Sequence, residues 1–350
     1  APVEMFIMKP AILLSRDDFR EGVFKRDKHT CVICHKPAVD AHHIIDRRLF
    51  HDGGYYLDNG ASVCEEHHLA CEMTLISVEQ IREACGIERI ILPDHFYEDR
   101  TDKWGNGILP SGMRLRGELF QDESVQKILA RGKVLDQFTW QVKYPRTHHA
   151  PWSEGMHSDD RMLPNMDHFI GKEVVVTVKK DGENTSMYRE YFHARSIDSP
   201  HHPSRDWAKG FWGRIAHDIP EGWRVCAENL YAQHSIVYED LLSYLYGFSI
   251  WNERNRCLNW DDTLEYFEIL GITPVEELYR GVYDEKVIRS KYNSKTDWAT
   301  CEGYVIRLAG EFDYRDFRRS VAKFVRKDHV QTTKHWMRGQ RIKPNGLKRS

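Results

Sequence analysis

Long apolar runs are missing from this chain of 350 residues, as are internal repeats and low-complexity segments. A helix needs about 20 consecutive apolar residues to span a bilayer, so no membrane partner is expected. No cleavable leader is expected either, because the apolar piece 5–14 is short and interrupted by Lys9-Pro10. An excess of one charge is missing too: 50 Lys and Arg against 53 Asp and Glu leave a net charge of -3. That balance argues against indiscriminate nucleic-acid binding. Eight cysteines are present, but Cys71, Cys85, Cys226, Cys257 and Cys301 are scattered, which fits a reducing cytoplasm rather than a disulfide framework. The length is large for one core, so two domains and a connector are expected.

What the chain does have is a lysine at the end of an apolar run. Val174-Val175-Val176-Thr177-Val178 reads as a buried strand and closes on Lys179-Lys180-Asp181-Gly182-Glu183-Asn184. An amine partly stripped of water there holds its proton less firmly, and its lone pair becomes a nucleophile for the α-phosphate of a nucleotide. By itself Lys-x-Asp-Gly is also what a β-turn after an edge strand looks like. Four further strands follow: Arg224–Leu230 ending in an acid, the aromatic Tyr246–Trp251, Glu302–Arg307 with an acid at its head, and Val321–Arg326 carrying Lys323.

In this order the five strands resemble motifs I, III, IIIa, IV and V of the covalent nucleotidyltransferases, the polynucleotide ligases and capping enzymes. The resemblance implies an α+β fold of antiparallel sheets lining a nucleotide cleft. It implies that Lys179 is adenylated from ATP, that Glu228 and Glu302 hold Mg2+ or Mn2+, and that Lys323 offsets charge on the α-phosphate. Phe248 would face the adenine, and Asn184 and Arg195 would contact the ribose and the nucleic-acid end. Asp181 and Gly182 belong to the same nucleotide-binding turn. Many relatives carry Lys-x-Lys where Val321 and Lys323 stand, so Arg326 or Lys327 would supply the missing charge. Asn184, where DNA ligases usually have arginine, points to the RNA ligase branch. So does the short tail after Lys327, which leaves no room for a five-stranded barrel. Glu228–Ala232, Phe248–Trp251, 329–332 and 334–336 resemble a bacterial and phage RNA ligase family. The likeness starts near Asp102–Gly105 and Lys143–Thr147 and runs to about Met337.

Near the N-terminus, Cys31-Val32-Ile33-Cys34 and Cys64-Glu65-Glu66-His67 have zinc-ligand spacing. Between them lie Asp40-Ala41-His42-His43-Ile44 and Asn59, and His68 follows. This order resembles the HNH endonucleases of the ββα-metal type. The resemblance implies a closed Zn2+ site of Cys31, Cys34, Cys64 and His67, with His43 as general base. His42 and His68 would bind a catalytic divalent ion, and Asn59 would orient the base through the backbone. Arg47-Arg48 is a candidate for gripping a scissile strand or a solvated turn.

The expected organisation is an HNH/zinc module over 1–86, a connector over 87–137, a ligase core over 138–330 and a basic tail over 331–350. In that tail Lys334, Arg338, Arg341, Lys343, Lys348 and Arg349 meet no acid, so it is either solvated or a phosphate-contacting strap. Helices are expected at 15–28, 77–85, 124–131 and 261–270. The reading is an ATP-dependent ligase of RNA, with DNA or an RNA/DNA hybrid as alternative partners, fused to an HNH module. Two other readings use the same residues: a nuclease whose ligase-like domain senses ends, and a DNA-joining ligase with a zinc-stapled binding module.

Overall fold

The computed structural model describes residues 10–96, 98, 100–327 and 341–349, and the chain divides into two compact units, Ala1–Val142 and Lys143–Ser350. The motif words at 329–332 and 334–336, together with Lys334 and Arg338, lie outside the described residues, as does the first half of the apolar piece 5–14. No described helix is long and apolar enough to cross a membrane.

In the first unit, Ser15 accepts from Asp18 N and starts helix α1 (Arg16–Arg26). Strands β1 (Asp40–His43) and β2 (Gly60–Val63) pair antiparallel, with His43 opposite Gly60. Helix α2 (Glu65–Glu72) leaves β2 with Cys64 as its N-cap. A Ser77–Gln80 capping box opens α3 (Val78–Cys85), which ends on left-handed Gly86. Asp122 caps α4 (Glu123–Arg131). These caps are readable locally, whereas α2 spends its side chains on Cys, His and Glu and offers no apolar stripe to predict it.

The segment 87–137, expected as a connector, is packed into this unit. Trp104, Leu119, Phe120, Val125, Leu129 and Val134 share one core with Ile44, Ile45 and Leu49. Part of its charge is internalised: Asp102, Lys103 and Arg114 are buried. Buried Asp102 accepts from Trp104 N, Asn106 N and Arg114 Nη1 at 2.9, 3.0 and 3.0 Å, which satisfies a carboxylate that burial would otherwise penalise.

The second unit carries strands β3 (His148–His149), β4 (Glu173–Lys179), β5 (Glu183–Tyr188), β6 (Phe192–Ala194), β7 (Arg224–Asn229), β8 (Leu245–Trp251), β9 (Arg256–Cys257), β10 (Thr273–Pro274), β11 (Glu277–Val282), β12 (Gly303–Leu308), β13 (Phe312–Asp313) and β14 (Val321–Val325). One sheet runs β11-β4-β12-β14-β3; the other runs β13-β9-β8-β7-β5-β6, with β10 beside β8. The expectation of antiparallel sheets needs a correction, because β3 lies parallel to β14 and β10 parallel to β8.

Alternation along the strands sorts the side chains. Val174, Val176, Ile306 and Phe324 pack outward against Phe169 and Ile288. Val175 packs inward with Tyr246 of the other sheet and with Trp260. The outer face of that second sheet is covered by α5 (Asp206–Ile215) and α6 (Trp260–Leu270), through Ala208, Ile215, Phe267 and Leu270. Because β4 and β5 belong to different sheets, the turn Lys180–Gly182 is where the chain crosses between them. The described end of the basic tail, 341–349, is docked on this unit through buried Asn345.

Candidate active site and metal clusters

In the second unit the strand ends converge on Lys179, which finishes β4 and donates to Glu302 across the β4–β12 pairing. Burial holds the Lys179 ammonium below its usual range, against the pull of Glu228 and Asp181. Glu302 is itself 3% exposed and heads β12. Close backbone approach makes this join possible: a Cβ on Gly303 would lie 1.9 Å from Phe324 O. Glu228, on β7, accepts from Gly182 N at 3.1 Å. Burial pushes its carboxyl up to about 7, with Lys179 opposing. Gly182 has a steric role as well, since a Cβ there would sit 2.5 Å from Asn229 O and 3.0 Å from Glu228 Cγ.

Asn184 stands directly opposite Glu228 in the β5–β7 register, so the two side chains share a face. Its Oδ1 is buried without a hydrogen-bond partner among the described residues. Phe248 is the extra residue of a bulge where β8 pairs with β7, and it meets Tyr144 edge-on at 5.3 Å. Arg195 is exposed, yet its charge is felt by both Lys179 and Lys323.

Asp181 is used differently from the other residues of its motif. Its carboxylate accepts from Ser235 Oγ at 2.7 Å and Ile236 N at 2.9 Å, which ties the turn to the loop after β7. Arg326 follows β14 in the parity of Ala322 and Phe324, away from Lys323. Its backbone N donates to Glu302 O at 2.9 Å, and its charge is felt by Tyr292 of the outer core. The geometry brings Lys179, Glu228, Glu302 and Lys323 together and leaves the Arg326 side chain on the other face.

Asp160 and His149, absent from the sequence reading, complete this site around Lys323. Lys323 is 9% exposed, and burial followed by repulsion from Lys179 lowers its ammonium to about 8. Asp160 Oδ1 lies 3.7 Å from Lys323 Nζ, while Oδ2 lies 3.1 Å from His149 Nε2. Burial works against the Asp160 carboxylate, but His149 and Lys323 together hold it well below the usual range. His149 Nδ1 is 2.6 Å from Ser153 Oγ. Asp160 is visible in the sequence as half of an Asp-Asp pair, but no spacing links it to a strand so far downstream.

The first unit holds two separate clusters. Cys31, Cys34, Cys64 and His67 each offer a ligand atom within 4.8 Å of the others. Cys31 Sγ to His67 Nδ1 is 3.5 Å, Cys64 Sγ to the same nitrogen 3.3 Å, and Cys34 Sγ to Cys64 Sγ 3.7 Å. A tetrahedral zinc with bonds of about 2.0–2.3 Å has ligand edges of about 3.3–3.8 Å, so the cluster has the right size. Cys71 is buried outside it, and burial pushes its thiol up to about 12.

The other cluster is Asp40, His42 and His68. His68 Nδ1 lies 2.8 Å from Asp40 Oδ2, and that contact raises the imidazole's proton affinity. His42 is 1% exposed, and neither of its ring nitrogens has a hydrogen-bond partner among the described residues. Orphaned buried nitrogens cost free energy unless something ligates them. Asp40 was invisible as a ligand in sequence because an acid before a strand is ordinary; β1 alternation places it on the face of His42. Lys103 Nζ donates to His43 O at 2.7 Å and lies 3.1 Å from Glu72 Oε1. The His43 ring stacks on Phe19 at 4.6 Å, and burial followed by Lys103 lowers it to about 4. It is therefore neutral near pH 7. Asn59 accepts from Ile45 N at 2.9 Å and donates to Ile45 O at 3.1 Å, fixing the backbone just beyond His43. Arg47 and Arg48 are both exposed, and Arg48 is engaged by Asp46 and Asp122.

Residues 172–325 match the RNA ligase family model. That stretch begins just before β4 and ends with β14, so it contains Lys179, Glu228, Glu302 and Lys323. No curated protein matches the chain. Among solved structures, a putative ATP-dependent DNA ligase from Aquifex aeolicus is 18% identical, with a TM-score of 0.37 over 53% of this chain and 50% of that one. An archaeal ATP-dependent RNA ligase is 15% identical, with a TM-score of 0.35 over 53% and 48%. A Naegleria gruberi RNA ligase with PPi is 14% identical, with a TM-score of 0.36 over 94% and 85%. This chain spans about half the length of the first two.

Proposed function

We propose that the second unit is an ATP-dependent RNA ligase working through a lysyl-AMP on Lys179. The observation that carries this reading is the convergence of a half-buried Lys179, its ammonium held below the usual range by burial, with Glu302, Glu228 and Lys323 inside the RNA ligase match. Lys179 Nζ, once deprotonated, attacks the α-phosphorus. The N–P bond forms as the bond to pyrophosphate breaks, and pyrophosphate leaves with the electron pair. A 5′-phosphate oxygen then takes AMP from Lys179, and a 3′-hydroxyl displaces AMP to seal the strand. Glu228 and Glu302 form a hard-oxygen set that fits a divalent cation, which would offset phosphate charge. Lys323 brings a second positive charge, and the orphaned Asn184 Oδ1 suits a nucleotide hydroxyl.

Incubation with α-labelled ATP and Mg2+ should label the wild type covalently and leave Lys179→Ala unlabelled. Persistent label in that variant would remove the assignment. Nicks that differ only in flanking 2′-hydroxyls test RNA against DNA or hybrid substrates.

A second reading concerns the first unit, which we infer to be an HNH-type nuclease module stapled by zinc. It is favoured by buried His42, whose ring nitrogens make no hydrogen bond among the described residues and whose Nδ1 lies 3.6 Å from Glu72 Oε1, beside Asp40 and His68. Those three residues fit a divalent ion that would stabilise the leaving oxygen, and His43 would take a proton from water. Metal-dependent nicking that disappears in His43→Ala supports it. One tight zinc per chain with no cleavage of RNA or DNA reduces the unit to a binding module.

A further inference from the structure

Residues 341–349 lie along the loop 231–241 of the same unit. Gln233 N donates to Lys343 O at 2.8 Å, Leu241 N to Gly346 O at 3.0 Å, and Lys348 N to Leu241 O at 2.8 Å. At the centre Asn345, 2% exposed, accepts from Tyr238 N at 2.9 Å and donates to Leu230 O at 2.7 Å. Gly346 N donates to Tyr238 O at 2.8 Å. Both backbone groups of Tyr238 are thus committed to the C-terminal segment. Its side chain reaches the opposite way, where the hydroxyl accepts from Asp181 N at 2.9 Å. Asp181 is two residues from Lys179, and its carboxylate is held by the same loop through Ser235 and Ile236.

We propose that Asn345 is a positioning residue for Lys179: the C-terminal segment holds Tyr238, and Tyr238 holds the turn that aims the lysine. The proposal rests on the reading of Lys179 as the adenylated residue. Chemically it assigns the tail a role other than contacting phosphate. Its basic side chains are dispensable to this contact, which runs through backbone groups, one buried amide and one phenol. A backbone donor fixed by a phenol restricts the turn without adding charge near the α-phosphate, so the effect falls on attack geometry rather than nucleotide affinity.

The test uses the full chain, α-labelled ATP and Mg2+, with single-turnover labelling of wild type, Asn345→Ala, Tyr238→Phe and the double variant. Each single variant should lower the labelling rate by about 10- to 100-fold, with the apparent affinity for ATP little changed. Because both act on one contact, the double variant should be no slower than the slower single one. Tyr238→Phe removes only the hydroxyl and keeps the ring in its core, so it remains informative if Asn345→Ala folds poorly. Losses that multiply in the double variant, or a wild-type rate in folded Tyr238→Phe, overturn the proposal. A wild type that takes no label overturns the Lys179 assignment itself, a result distinguishable from failure of the relay alone.

Discussion

Asp160→Asn should drive the Lys323 ammonium toward neutrality. Lys323 is lowered from 10.5 to about 8 by burial and by the charges of Lys179, Arg195 and Arg146, with Asp160 the carboxylate that opposes them. That displacement corresponds to about 3 kcal/mol. Its sign is set by linkage. Between pH 8 and 10.5 the folded protein binds fewer protons than the unfolded chain, so stability rises with pH across that window. Below pH 8 the full cost of burying the charge is present. An opposite charge within about 4–6 Å is worth about 1–3 units, so removing the carboxylate 3.7 Å away should lower the midpoint to about 7 or less. Reductive 13C-methylation of the lysines followed by NMR titration reads this directly, with Lys323→Arg assigning the resonance. A wild-type midpoint near 10, or an Asp160→Asn midpoint equal to wild type, would refute the reasoning. If the charge on Lys323 assists phosphoryl transfer, the labelling rate of Asp160→Asn should also begin to fall at lower pH than that of the wild type.

Three further perturbations probe the sites. Gly182→Ala should cost about 1–3 kcal/mol, because its Cβ would press on Asn229 O and Glu228 Cγ, and labelling should slow with it; a melt superimposable on wild type would contradict this. Elemental analysis should find one zinc per chain, lost in Cys64→Ser together with most ordered signal from the first unit, and full zinc retention in that variant would rule out the four-ligand cluster. His42→Ala should weaken binding of a catalytic divalent ion and leave zinc content unchanged, since His42 lies outside the Cys31–His67 set; loss of zinc in that variant would contradict the separation of the two clusters.

Much of the site could be read before any coordinates because its parts are local words. The run Val174–Val178 alternates into β4 and delivers Lys179 at its end, and Glu228, Phe248 and Lys323 occupy strands as their motifs suggest. Capping residues placed α1, α3, α4 and α6 to within a residue or two. Less legible was anything decided by burial of charge. Residues 87–137 look like a linker from their Gly, Pro and charge, yet Asp102 and Arg114 neutralise each other inside the core. Arg326 has the charge the motif resemblance asks for, but it follows β14 in the parity of Ala322 and Phe324, away from Lys323.

Chain order and residue type alone determined the five motif strands, the starts of α1, α3, α4 and α6, and which cysteines and histidines have ligand spacing, since each depends on a few neighbouring residues. Only the tertiary structure decided that Asp160 would meet Lys323, that Asp40 would join His42 and His68, and that Asn345 would reach the turn of Lys179 through Tyr238. Those meetings depend on pairing register and on contacts between segments far apart in the chain. A one-residue slip would turn every side chain of a strand to its other face, and no local pattern records that choice.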